Sequence, residues 1–203
     1  ENITHKLTCE VILVGSIKHV FIRPSVVLKN RTKFPLQIIS ENTVENQTAA
    51  VNIQPGGYAA FPVKYSHKCA FRLKPTDMEY DPTKTAVTVS RLVNHFGQKD
   101  DNGKDSPKLK TITSIQVESV SSIPDIAPFY FLIYSKPLPI RSSRDYPVAN
   151  LIIRAPIEIH NLLPRDIRFR MYDLDAKYDV GGSVGAGKMA PLHAIRSDHL
   201  VGI

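Results

Sequence analysis

Apolar and polar residues alternate along much of this chain, and one alternating stretch occurs twice. Leu151 to Phe169, LIIRAPIEIHNLLPRDIRF, lies without a gap over Val20 to Ile38, VFIRPSVVLKNRTKFPLQI. Apolar residues fall on apolar residues at 20/151, 21/152, 22/153, 26/157, 28/159, 36/167 and 38/169, while Arg23 meets Arg154 and Asn30 meets Asn161, 131 residues on. Self-similarity at a fixed offset marks a repeated structural unit. Each copy reads as a half-buried strand, an Asn turn, and a second strand, since apolar side chains at every other position line one face of a sheet. Pro24 and Pro156 interrupt the first strand of each copy. Without an N–H to give a ladder, a proline belongs to a strand end, an edge or a bulge. Asn30 and Asn161 are read as repeat-defining turn residues, because asparagine hydrogen-bonds its own nearby backbone and tolerates left-handed geometry.

The rest of the chain keeps to β patterns. Val11 and Leu13 precede a Gly15-Ser16 turn that leads into the first copy, and Val51 and Ile53 precede Pro55-Gly56-Gly57. Residues 85–96 and 109–120 are rich in β-branched side chains around the polar segment GQKDDNGKDSPK, which predicts a long hairpin. Phe129 to Tyr134, FYFLIY, predicts a strand buried on both faces. Residues 137–146, PLPIRSSRDY, read as a linker in which Pro137-Leu-Pro139 is a stiff spacer. No capped segment with helical periodicity stands out. The expected fold is therefore all-β, with tandem repeated β-sandwich modules packed end to end. The predicted division is 1–135 for the first repeat with a preceding strand, 136–147 for the linker and 148–203 for a second repeat that stops short of the first copy's later strands.

Composition narrows the class. The chain has 203 residues, 42% hydrophobic and 22% charged, in the range of a globular protein and long enough for two modules. No apolar run reaches the ~20 residues of a membrane-spanning helix, and the start lacks the pattern of a signal peptide; since the sequence opens inside a strand pattern and closes at HLVGI, it reads as part of something longer. Cys9 and Cys69 form no metal-binding or redox pair, which suits a reducing, cytoplasmic setting. The net charge of +7 is concentrated in residues 17–40, where Lys18, Arg23, Lys29, Arg31 and Lys33 occur without an acid. A solvated strand face accounts for this, with an anionic membrane surface as the alternative partner. Nucleic acid is not expected, since no helix-turn-helix or zinc spacing accompanies the charge.

The candidate catalytic motifs fail on their own chemistry. Gly182 to Lys188 fits the GxxxxGK of a phosphate loop, but Met189 stands where a hydroxyl must reach magnesium, and Pro191 follows where a helix must start. The repeat instead aligns Gly185–Leu192 with Gly56–Val63, a turn between strands. Asp173, Asp175 and Asp179 resemble a calcium loop only until Lys177 occupies a ligand position. No close pair among the seven histidines suggests a metal, and no GxSxG suggests a nucleophile. The reading is of a non-enzyme with no cofactor, no metal and no small-molecule substrate.

The two Asn-centred stretches, with Ile22-Arg-Pro-Ser25 against Ile153-Arg-Ala-Pro156 and Asn161-Leu-Leu-Pro164 before Ile167-Arg-Phe-Arg-Met-Tyr172, resemble the adaptor-binding domain of the vacuolar protein sorting protein 13 family. Leu73-Lys-Pro-Thr76 and Ala127-Pro-Phe-Tyr-Phe131 extend the resemblance over essentially the whole chain. It implies a row of β-sandwich modules, each with one characteristic Asn, in a bridge-like lipid-transfer protein. It further implies a recruitment role: adaptor proteins carrying Pro-x-Pro segments would bind here and direct the protein, in the cytoplasm, to the periphery of organelle contact sites. An exposed sheet edge can take such a segment as an added strand. The expected peptide-binding residues are Ile157, Ile159, Asn161, Ile167, Phe169, Met171 and Tyr172, on the edge of the strand at 157–160 or of that at 167–172.

Overall fold

The computed structural model describes residues 7–24, 26–42, 47–60, 69–89, 92, 114–124, 126–137 and 149–202. The described residues are almost entirely β. Two strands, β1 (Leu7–Val14) and β2 (Ile17–Pro24), form an antiparallel hairpin turned at Gly15, whose φ of 59° is open to glycine at no steric cost.

The first module is a sandwich of two sheets. Its five-stranded sheet runs in the order β6 (Tyr58–Ala60), β3 (Val26–Asn30), β11 (Ala149–Arg154), β10 (Phe129–Pro137), β9 (Ser114–Ser119). Its four-stranded sheet runs β5 (Gln47–Ile53), β4 (Leu36–Asn42), β7 (Cys69–Pro75), β8 (Val87–Thr88). Every pairing is antiparallel except β11 with β3, which is parallel. The alternation seen in the sequence is the inner face: Val26, Leu28, Phe131, Ile133, Leu151 and Ile153 from one sheet meet Leu36, Ile38, Phe71 and Leu73 from the other in one buried cluster. Burying each such side chain stabilises the sandwich by about 1.5–3 kcal/mol before entropy is charged against it.

The second module repeats β3 to β6 in four strands and adds a short fifth. β12 (Ile157–His160) pairs with β15 (Met189–Leu192), and β14 (Tyr178–Val184), β13 (Ile167–Asp173) and β16 (Val201–Gly202) make a three-stranded sheet. Register repeats as well as sequence does. Leu36 faces Ile53 as Ile167 faces Val184, and Val27 faces Ala60 as Glu158 faces Pro191. The second core is smaller, with Met171, Leu192 and Ile195 buried and Ile157, Ile159, Phe169, Val180 and Val201 half-buried around them.

Three expectations need correction. Among the described residues the two arms of the expected long hairpin do not pair: β8 adds to β7, whereas β9 adds to β10 in the opposite sheet. Val89 and Leu92 are helical rather than extended, and Val87, Val89 and Leu92 are all buried, so that segment gains more by turning into the core than by pairing with β9. The expected tip, residues 97–108, lies outside the described residues. The strand at 129–134 is not buried on both faces. Phe129, Phe131 and Ile133 are buried and the residues between them only half so, because β10 sits inside the sheet while its outer face carries Tyr130 and Tyr134.

Sheet membership adds something that the repeat does not show. β11, which the repeat groups with the second copy, is hydrogen-bonded between β3 and β10 of the first sandwich. The chain leaves that sheet at Ala155-Pro156 and enters the second module at β12.

Candidate functional site

Each repeated asparagine is a staple between sheets. Asn30 ends β3, and its Nδ2 donates to the carbonyls of Phe34, 2.7 Å away, and of Ile53 at the end of β5, 3.0 Å away. Its Oδ1 accepts from the Thr32 N–H (2.9 Å) and hydroxyl (2.7 Å). Asn161 does the same: Nδ2 is shared among the carbonyls of Arg165 (2.8 Å), Val184 (2.9 Å) and Gly185 (3.0 Å), and Oδ1 accepts from Leu163 N–H (3.0 Å). Both side chains are buried. An amide offers two donors and one acceptor, and here all are engaged with the module's own backbone.

The strands carrying the other expected residues have open edges. β4 is paired along its whole length by β7, from Leu36 opposite Pro75 to Asn42 opposite Cys69. Its counterpart β13 meets β16 only at Tyr172 and Asp173, so among the described residues Ile167–Met171 has no strand on that side. β3 lies between β6 and β11, whereas its counterpart β12 pairs with β15 alone among the described residues. Along β13, Ile167, Phe169 and Met171 turn toward the small core, and Arg168, Arg170 and Tyr172 turn out to solvent. Phe169 lies over Gly182 on β14, where a Cβ would come within 3.0 Å of the ring. On the outer face Arg170 forms an ion pair with Asp179, whose hydrogen bond to the guanidinium holds that carboxyl below its usual range. Ile157 and Ile159 on β12 are half-buried on the inner side. The expected residues are thus brought together, except that Asn161 lies beneath the surface and Tyr172 stands on the opposite face of β13.

The phosphate-loop look-alike is a turn. Lys188 N–H donates to Gly185 O, 3.0 Å away, and Gly187 has a φ of 63°, matching Gly57 N–H to Gln54 O and Gly56 at 74° in the first module; Gly187, rather than the Gly185 of the sequence alignment, is therefore the counterpart of Gly56. Asp173 and Asp175 also serve the fold. Asp173 Oδ1 accepts from the N–H groups of Asp175 and Ala176, its Oδ2 lies 2.7 Å from His199 Nδ1, and Asp175 accepts from Leu200 N–H. Burial would raise the Asp173 pKa, but these donors together hold it below its ordinary value.

Sequence reasoning missed His193, which joins the modules. Its ring stacks on Phe129 with centroids 4.1 Å apart and meets Phe34 and Phe131 edge-on. Its Nδ1 lies 2.8 Å from Tyr130 O, and Tyr130 N–H donates back to His193 O. Nε2 is buried without a partner, and burial pushes the pKa down to about 4. Further bonds cross the same joint: Lys33 Nζ donates to Met189 O, and the Ser197 N–H and hydroxyl both donate to Gln116 Oε1.

Comparison with known proteins bears on what this arrangement is. Residues 1–203 match the family described as vacuolar-sorting associated protein 13, adaptor binding domain. The chain belongs to that family. It is also 25% identical over 213 residues to the intermembrane lipid transfer protein VPS13 of Chaetomium thermophilum, a match covering all of this chain and 6% of that protein. The chain therefore spans a small part of the relative's length. That description is of a binding domain rather than a catalytic one.

Proposed function

We propose that this chain is a recruitment module whose second repeat captures an extended Pro-x-Pro segment of an adaptor protein along the open edge of β13. What supports it is the half-covered apolar face that Ile157, Ile159 and Phe169 present beside β13, whose edge at Ile167–Met171 has no strand partner among the described residues. A strand added there makes main-chain hydrogen bonds, and its alternate side chains reach the apolar face, which divides affinity from specificity. Proline suits the ligand because its missing N–H is harmless on the solvent side and its fixed φ lowers the ordering cost. Asn161 would position this face without touching the ligand. By its family and by its likeness to an intermembrane lipid transfer protein, the module would direct a lipid-transfer protein to organelle contact sites from the cytoplasm.

Titration of a labelled Pro-x-Pro peptide with hydrogen exchange tests this reading. Protection across 157–172 is the expected result, and protection confined to 20–75 would overturn it. Membrane contact through the basic segment is the second reading, favoured by the exposure of Arg31 and Lys33. It predicts binding to anionic vesicles that falls steeply with salt, whereas peptide capture depends on salt only modestly.

A further inference from the structure

The two modules share no sheet and no buried cluster. β11 completes the first sandwich, and the sheets of the second hold only β12 to β16. Each cluster of buried residues draws on its own module alone. Among the described residues, what crosses the joint is the chain itself, buried there at Ala155-Pro156, and a small set of contacts centred on His193. The His193 ring enters the end of the first sandwich against Phe129, Phe34 and Phe131. Its Nδ1 and its backbone carbonyl exchange bonds with the carbonyl and N–H of Tyr130. The remaining links, from Lys33 to Met189 and from Ser197 to Gln116, run between groups at the exposed rim. A joint that is neither large nor wholly apolar permits its domains to move relative to one another.

One atom of the joint does nothing to hold it. Nε2 of His193 is buried and has no hydrogen-bond partner among the described residues. Such an atom costs stability, and an apolar ring would fill the same box without that cost. What the imidazole adds is the capacity to take up a proton. No charged side chain among the described residues is placed to receive it. On the first module the ring is faced by the three phenylalanines and, behind Phe129, by Tyr80, whose hydroxyl donates to Ala127 O. Tyr130 presents its main chain, and burial holds its phenol, like that of Tyr80, above the usual range. The charges around the joint are committed elsewhere: Glu118 to Lys84, Arg196 to Asp198, His199 to Asp173 and Lys33 to Met189 O. Burial accordingly holds the ring's pKa at about 4, below the 6.5 of an exposed histidine. We propose that His193 is a latch between the modules: on taking up a proton its ring leaves the aromatic box, and the second module undocks on its Ala155-Pro156 tether while both sandwiches stay folded. The latch goes beyond adaptor capture at β13 and does not depend on it. The undocked ring binds the proton more readily, so docking is full above about pH 6.5 and weakens about tenfold for each pH step down toward 4. Undocking uncovers Phe34, Phe129 and Phe131 at the end of the first sandwich.

Small-angle X-ray scattering of the full chain from about pH 7.5 to about pH 4, a window that spans both pKa values, tests the latch, with far-ultraviolet circular dichroism on the same samples. The expected result is a rise in radius of gyration and maximum dimension, with its midpoint between the two pKa values and strand content unchanged. His193→Phe keeps the stack and cannot titrate, so it should stay compact throughout. Lys33→Ala/Ser197→Ala, altered at exposed positions, removes rim bonds at every pH; each tenfold loss of docking moves the midpoint up by about one pH step. Four outcomes would overturn the proposal: a wild type that stays compact to pH 4, equal expansion in His193→Phe, an unmoved midpoint in the rim variant, or expansion only together with loss of strand content. The last would make proton uptake an unfolding event. Should His193→Phe not fold, the Hε1 resonance of His193 in the wild type decides: expansion that follows its titration supports the latch, and a ring that titrates while the chain stays compact overturns it.

Discussion

Acidification from pH 7 to pH 5 should weaken this protein through His193. The carbonyl of Tyr130 can only accept, so the neutral ring carries its proton on Nδ1 and leaves the buried Nε2 as a bare lone pair among Phe34, Phe129 and Phe131. Protonating Nε2 would add a charge and a donor with nothing to receive it, and for that reason the folded pKa lies at about 4 against 6.5 in an exposed histidine. The unfolded chain then binds the proton more readily, so the histidine's contribution is full above about pH 6.5 and is lost as pH falls toward 4. Each pH step of one between those two values removes about 1.4 kcal/mol, so the whole window is worth about 3 kcal/mol, of which about 2 kcal/mol disappears between pH 7 and pH 5. Urea unfolding of the wild type and His193→Phe at both values is the assay. The Phe variant keeps the stack, loses one hydrogen bond at a cost of about 0.5–1.5 kcal/mol at either pH, and should lack the extra loss at pH 5. Equal decreases in the two proteins would refute the argument, since the other histidines are common to both.

Two further outcomes follow from the staples and turns. Asn161→Ala should cost about 1–3 kcal/mol, measured by urea unfolding, because the Val184 and Gly185 carbonyls keep their desolvation penalty after the amide is gone; peptide affinity should fall only in step with that loss, and abolished binding with unchanged stability would make Asn161 a direct contact. Asp173, with its pKa held below 3.8, stabilises the fold above that value and ceases to as pH falls through the lowered one, so Asp173→Asn should flatten the acid end of the stability profile, read by circular dichroism below pH 4.

The repeat, the all-β class and the Asn turns were legible because each has a local cause: period-two burial and a side chain that bonds its own backbone. Sheet membership had no local cause. β11 reaches β3 in parallel across more than a hundred residues, and no pattern near Leu151 tells which sheet will take it. For the same reason two β-branched runs flanking a polar segment read as a hairpin, although Val87 and Val117 are buried from opposite sheets. His193 left only a faint signal, a titratable residue placed between the apolar Leu192 and Ile195. Its partners Phe34, Phe129 and Phe131 come from distant strands, so its role as a joint appears only after folding.

The staple also shows why a buried asparagine matters to a surface it does not reach. Asn30 closes the turn into β4 and at the same time holds the end of β5, so one amide fixes the end of the five-stranded sheet against the four-stranded one. In the first module that link is redundant with a core in which both sheets are covered. In the second, Ile157, Ile159 and Phe169 are only half-buried and the core has three buried members, so the separation of β12 from β13 and β14 leans more heavily on Asn161. Residues acting as one packed unit couple, and the coupling grows where fewer contacts share the strain. Replacing Asn161 should therefore disturb the edges of β12 and β13 together, whereas Asn30→Ala should cost stability yet leave both open edges able to bind. Hydrogen exchange of the two variants separates the cases: faster exchange along 167–171 in Asn161→Ala alone supports a local staple, and the same acceleration in Asn30→Ala would mean that the modules transmit strain through the His193 joint.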